Sequence, residues 1–568
     1  MLDTVTDKAL GHMGGASSSA GGGTGGGGGK RSPLDSSTEP VLRVRVGSGS
    51  AFLEHIGEEG SGEGGVLRVE ASFNGTRQAS GWVEACVEPM FDATFVLPLP
   101  CGEVDELVEE SEKVHVLVVR GGERGGGEKE VVGTAEIEWR KVLEEGFFRE
   151  QVELANVGEA SAVTPGLLDA EVLMLPTLRA GKRVEGSFLA GLLKEERVAS
   201  ARADKAFLVY AKAWWREYLA LRDSHRHRVV KVLGVSECGV SRPVVTYVAP
   251  LFLGRLLPSP RAAARFVALL HHRDGLRIGG EVSEVWHSVH SILAQGGGAS
   301  HDLALILACL FLGFGMNAYV AVGTSPVGAN TWVVTLDAPA SGGGVLFWDP
   351  LSGEAHSDLS SPESRSLFST IATLFNDREL YANAQVSDKV EETRFDLGNA
   401  KSWFAMDPDI LSPLTHAPPT ALLPPTLSPI SQAIKVENAL VARVEAYRLD
   451  LGLSTQWSDV LSHLLTPALD AYEMERRTGV VVPGNAEFQQ AVRAHVPKGW
   501  VFKAFPIQFK STSAAPIWDS LLASPIALSI LHTSCASKAP SFAVRCLISL
   551  YPDNVVACWL MLAVTHER

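Results

Sequence analysis

The side chains that could carry covalent chemistry sit in three short windows: Gly298-Ala299-Ser300-His301-Asp302-Leu303-Ala304, Asn330-Thr331-Trp332-Val333 and Phe347-Trp348-Asp349-Pro350. In order, they fall at a helix start, at a strand start and at the end of the next strand. A serine hydroxyl becomes a nucleophile only where a base takes its proton, and an asparagine amide has no basic lone pair to do so. His301 adjoins Ser300, but neighbouring side chains on a helix diverge rather than meet. His287, His290 and His356 are the imidazoles that folding could bring near Ser300, a question the sequence leaves open. Ser300 is better explained as a helix N-cap, with Asp302 in the first turn favouring the helix dipole. Cys309 falls in the middle of the same apolar helix, where a thiol is ordinarily an inert core residue. Neither G-x-S-x-G nor H-E-x-x-H occurs in the chain.

The segment that must position these residues is unusually apolar. From Leu303 to Gly323 its one strongly polar side chain is Asn317, which imitates a membrane span. Gly313, Gly315 and Asn317 interrupt it midway, and Ala318 to Val322 is rich in strand formers, so a buried helix, a glycine turn and a buried strand are expected.

The whole chain of 568 residues has room for roughly three or four domains. Hydrophobic residues make up 46% and charged residues 20%, an ordinary globular balance that excludes wholesale disorder. The net charge of -15 has the wrong sign for general attraction to nucleic acid or anionic lipid. Seven scattered cysteines, never in C-x-x-C spacing, fit reduced thiols in a cytosolic protein rather than a disulfide framework or a zinc knuckle. The first residues carry acidic side chains and no apolar run, unlike a secretory signal.

Along the chain, residues 1–38 contain a tract of Gly, Ala, Ser and Thr and are expected to form a flexible tail. Residues 39–180 hold short β runs separated by turn-rich segments, the signature of an antiparallel β-sandwich. Such a sandwich could bind calcium, which needs six to eight oxygens. Its loops offer Glu58, Glu59, Glu63, Asp92, Glu123 and Glu128 without an Asp-x-Asp pair, so solvated acidic loops are expected. Residues 181–229 form a helical connector, with Phe207, Tyr210, Trp214, Tyr218 and Leu221 at helical spacing. Residues 230–400 have α+β order: a helix opened by Ser259 and Pro260, helices over Glu281 to Leu293 and His301 to Leu312, then strands. A proline-rich linker, 401–430, precedes a mixed α/β C-terminal domain, 431–568, whose first helix buries Val436, Leu440, Val444 and Tyr447.

The helix-strand-strand order of the three windows resembles the transglutaminase-like (papain-related) fold. In that fold a Cys at the helix start is the nucleophile, a His opening an H-x-W-V strand is the base, and an Asp on the next strand orients the His. The resemblance places these roles on Ser300, Asn330 and Asp349, so two of the three positions are degenerate. A transglutaminase-type site needs a low-pKa thiolate beside an imidazolium, and a triad acts as a unit. The implied catalytic, metal and cofactor complement is therefore none.

Longer stretches resemble the centrosomal protein of 76 kDa family: Ala51 to His55, Ala206 to Tyr218, Gly254 to Phe266, Leu312 to Gly315, Leu451 to Trp457 and Phe502 to Pro506. The resemblance covers roughly residues 40–568. It implies a C2 domain, a transglutaminase-like domain and a C-terminal domain, a place at the centrosome, centriole or basal body and hence the cilium, centriolar protein partners, and a part in limiting centriole duplication. The chain departs from the family in its glycine-rich N-terminus and at Ser300 and Asn330. The expected protein is thus a pseudoenzyme scaffold in the cytoplasm. The alternatives are an active C2-anchored transglutaminase or peptidase with a recast triad around Ser300, and a calcium-regulated membrane-binding C2 protein.

Overall fold

The computed structural model describes residues 40–52, 65–100, 104–122, 129–157, 164–178, 183–273, 277–278, 281–282, 284–337, 344–418, 420–535 and 538–568. The expected tail, 1–38, lies outside them.

Strict alternation builds the N-terminal sandwich. Along Met90–Pro98 the side chains of Phe91, Ala93, Phe95 and Leu97 point inward and their neighbours outward, the period-2 pattern of a half-buried strand. One sheet has the order Met90–Pro98, Val41–Ser50, Leu167–Leu175, Phe147–Glu153. The other is centred on Val66–Phe73, Val114–Gly121 and Glu130–Ile137. Between them, Trp139 and Phe73 pack edge to face, with centroids 5.6 Å apart. The connector is a single helix, Gly186–Leu221, whose buried face carries Phe207, Trp214 and Tyr218; Leu221 is exposed.

In the middle domain, Ser259 caps the Pro260–Leu269 helix by accepting from the Ala262 amide, with Pro260 at the first position. The next element departs from the expected helix over Glu281 to Leu293. Glu281–Val282 and Val285–Trp286 are short strands, and the helix is Val289–Gln295, capped by Ser288. Val285 and Trp286 are strand formers, and the cap sets where helical geometry begins.

The apolar segment divides as expected into a buried helix, Ser300–Gly313, a turn with Gly315 at φ 75°, and a strand, Ala318–Ser325. Among the described residues no single helix is long and apolar enough to cross a membrane. Seven antiparallel strands form the sheet against which this helix packs, in the order Ala355–His356, Val345–Trp348, Gly328–Leu336, Ala318–Ser325, Thr370–Phe375, Leu380–Asn383, Trp403–Ala405. Val320, Val322, Val333 and Trp348 share the core with the helix. Tyr319, Ala321, Trp332, Val334 and Phe347 belong to a separate core on the other face.

The C-terminal region is a four-stranded sheet, Gln456–Trp457, Ser541–Leu550, Val556–Glu567, Trp500–Phe509, covered by helices including Pro429–Asp450 and Asp459–Thr478. Val436, Leu440 and Val444 are buried as their spacing predicts. The proline-rich crossing is ordered by specific hydrogen bonds. The Ala417 amide donates to Thr246 O, Thr420 Oγ1 meets Ser72 Oγ at 3.2 Å, and Ala421 O accepts from Arg77. The Leu423 amide donates to Asp553 Oδ2, between Ser541–Leu550 and Val556–Glu567, so the crossing is bonded to the sandwich, the middle domain and the C-terminal region.

Candidate functional site

The start of the buried helix carries a different arrangement from the one expected. Ala299, with extended backbone, is the N-cap, and Ser300 is the first helical residue. The cap interaction comes from Asp302, whose Oδ2 accepts from the Ala299 amide at 3.1 Å. A side-chain carboxylate three residues into a helix can satisfy the orphan donor of the cap residue, so Ser300 is released from that task. The reading of Ser300 as N-cap is corrected accordingly.

Asp302 is wholly buried and is the hub of the site. Its Oδ1 accepts from the His287 amide at 3.0 Å, and its Oδ2 lies 2.9 Å from His287 Nδ1. Beside them, His301 Nε2 lies 2.7 Å from Val285 O and stacks obliquely on Trp286. Burial opposes charge on Asp302, yet the His301 and His287 imidazoles and the bonds from His287 hold its carboxyl below the usual carboxylate range. Burial likewise pushes His287 down, but the attraction and hydrogen bond of Asp302 win and raise it to about 8. Neutral imidazole is the form that takes a proton, so His287 is mostly in the wrong form for a general base at pH 7.

Among the described residues no imidazole lies within hydrogen-bond reach of the Ser300 hydroxyl. His290 points to the sandwich, 3.7 Å from Glu70 Oε2. His356, paired across the sheet with Phe347, packs against Phe368 on the face away from the helix. Asn330 pairs with Gly323 and bonds its own neighbour, the Thr331 amide, through Oδ1 at 2.9 Å. Strand alternation sets Asn330 on the side of Trp332 and Val334, away from the buried helix, and Thr331 on the helix side. Asp349 closes a turn, accepting from the Leu351 and Ser352 amides at 3.2 and 3.1 Å. No hydrogen bond therefore links Ser300, Asn330 and Asp349. Cys309 is buried in the helix, and its thiol is pushed up by burial to about 12.

Sequence reasoning names His287 without pairing it to Asp302. An Asp at the third helical position is a visible capping signal; which backbone and imidazole it serves fifteen residues upstream is set by the tertiary fold. For calcium, Asp92 is taken by Arg45 at 2.8 Å, while Glu58, Glu59, Glu63, Glu123 and Glu128 lie outside the described residues. Among the described residues no cluster of three or more His, Cys, Asp or Glu side chains is disposed to hold a metal.

The architecture is that of a C2 domain followed by a peptidase-like domain and a mixed α/β C-terminal domain. Family models match in that order: the CEP76 C2 domain over residues 34–180, the CEP76 peptidase-like domain over 284–406, and the centrosomal protein of 76 kDa C-terminal domain over 426–567. The chain is 34% identical to centrosomal protein of 76 kDa from Homo sapiens, over 100% of this chain and 89% of the relative. It is also 34% identical to that of Xenopus laevis, over 93% and 84%. The chain belongs to the centrosomal protein of 76 kDa family. It is also similar to Protein CC2D2B from Homo sapiens, at 24% identity over 54% of this chain and 20% of that one. Among solved structures, a C2 domain of plant Extended Synaptotagmin 1 aligns with 25% of this chain and 98% of its own length, at 12% identity and a TM-score of 0.20. Legionella pneumophila LapG aligns with 23% of this chain and 71% of its own, at 17% identity and a TM-score of 0.19.

Proposed function

We propose that this chain is a non-enzymatic scaffold of the centriole or basal body that helps to limit centriole duplication, with the peptidase-like domain serving as a binding and organising module. Family membership supports the centrosomal place, since the relatives carry that location in their names. The observation that carries the non-enzymatic half is the isolation of Ser300. Its hydroxyl has no imidazole partner among the described residues, Asn330 faces the other side of the sheet, and His287 is held in its protonated form by Asp302. The domain interfaces support a scaffold, because buried ion pairs and the ordered crossing hold three domains in one arrangement. The experiment is replacement of the endogenous protein by a fluorescent full-length Ser300→Ala chain. The scaffold reading expects unchanged centrosomal signal and centriole number; supernumerary centrioles with normal protein abundance would overturn it.

A further inference from the structure

A cleft lies at the junction of the C2 domain and the peptidase-like domain, lined on one side by Trp286 and Ser288, the residues that flank His287. It has a volume of about 860 Å³, within the range of about 300–1,000 Å³ usual for ligand sites. Its lining is rich in acceptors. Glu110, Glu112, Glu153 and Glu237 all face it, and among the described residues none of them has an ion-pair partner. Lys113 is already engaged by Glu136 at 2.6 Å, which leaves Arg242 as the one unpaired lining cation among the described residues.

Two features show that this is more than a solvated acidic rim. First, Glu112 is half buried: one oxygen accepts from the Asn74 amide at 2.7 Å, and the nearest charge acting on it is another carboxylate, Glu110. Burial and that neighbour push its carboxyl up to about 7, the condition of an acid lacking its counter-ion. Second, His290, 7% exposed, lines the cleft with Nε2 turned 3.7 Å from Glu70 Oε2 and Nδ1 without a hydrogen-bond partner. Buried polar nitrogens ordinarily find partners, and an imidazole held neutral by burial keeps one nitrogen lone pair to offer. His115, across the same cleft, is held down to about 4 by burial and is neutral too.

We propose that this cleft is a docking site for an arginine-bearing segment of a partner protein. A guanidinium offers five donors and a fixed positive charge, matching carboxylates at the rim and neutral imidazoles within. Charge-assisted bonds to half-buried carboxylates are stronger than those at an open surface, and the excess of acceptors repels acidic competitors. The site stands whether or not the peptidase-like domain is catalytic, so its failure and that of the scaffold reading are separable.

The test uses the full-length chain and a fluorescein-labelled peptide of alternating glycine and arginine, with a second peptide in which neutral citrulline replaces arginine. Anisotropy is expected to show the arginine peptide binding at least about tenfold more tightly than the citrulline peptide, and about tenfold more weakly to the Glu110→Gln/Glu112→Gln chain, the scale of one lost charge-assisted contact. Glu144→Gln/Glu145→Gln, exposed residues elsewhere on the C2 domain, is expected to leave binding unchanged. Equal affinity for both peptides, no binding, or equal weakening by the control pair overturns the proposal. Should the cleft variant melt early, a benzophenone-bearing arginine peptide on the unaltered chain decides. Adducts within 110–117 or 236–242 support the site, and adducts confined elsewhere refute it.

Discussion

Arg77 of the C2 domain and Asp553 of the C-terminal domain, 476 residues apart in sequence, form a buried ion pair of 2.5 Å, and Glu70 takes the other side of the same guanidinium at 2.9 Å. Asp553 also accepts from the Leu423 amide of the proline-rich crossing, so one arginine joins three segments. Removing a partner from a buried ionic cluster leaves the rest uncompensated. Arg77→Met is therefore expected to cost about 3–5 kcal/mol, read as a fall in the urea midpoint. A loss below about 1 kcal/mol, the value of an exposed pair, would contradict the bridge.

The His287–Asp302 pair makes stability depend on pH with opposite signs at its two ends. His287 is raised in the folded chain to about 8 from an ordinary value of 6.5, so its contribution is full below about 6.5 and is lost as pH rises through 8. Asp302 is held below 3.8, so its contribution is present above that value and is lost as pH falls below it. The His287 shift corresponds to at most about 2 kcal/mol. Nuclear magnetic resonance of ring-labelled histidine should find His287 titrating near 8, falling to 6.5 or lower in Asp302→Asn. A titration below 6.5 in the unaltered chain would refute the pairing.

How much of this is legible in the sequence differs between elements. The buried helix and following strand are visible because Leu303 to Leu312 is apolar on every side and glycines mark the turn, signals local in sequence. The Ser259-Pro260 start is visible for the same reason. The helix expected over Glu281 to Leu293 is misplaced because its cap, Ser288, lies inside an apolar stretch that helical periodicity alone runs through. Pattern alone assigns Ser300 the cap role that Asp302 performs, since both residues are capping types two positions apart. The Asp302–His287 and Arg77–Asp553 partnerships join distant segments and leave no periodic trace.

The placement of Leu303 to Gly323 in a packed core has a direct consequence at Leu307, which is fully buried. Leu307→Asp places an unpaired charge in that core and is expected to unfold the domain, whereas volume-conserving Leu307→Met should cost less than about 1.5 kcal/mol. Circular dichroism melting of both purified variants checks this. A folded, soluble Leu307→Asp chain would contradict the packing.

Gly75 adopts φ 62°, and a Cβ there would lie 2.4 Å from the Phe252 ring of the middle domain. Gly75→Ala is expected to lower the melting temperature through both left-handed backbone strain and that contact. Adding Phe252→Ala should recover only the part due to the clash. Full recovery would show that the backbone conformation carries no strain.

The proposal that the peptidase-like domain carries out no acyl transfer is tested most directly by incubating the full-length chain with a serine-reactive fluorophosphonate and locating any adduct by mass spectrometry. With no imidazole bonded to Ser300 among the described residues, the expected outcome is no labelling of Ser300 above that of the denatured chain. Stoichiometric labelling of Ser300, abolished by His287→Ala, would contradict the account and establish a recast catalytic site at the start of the buried helix.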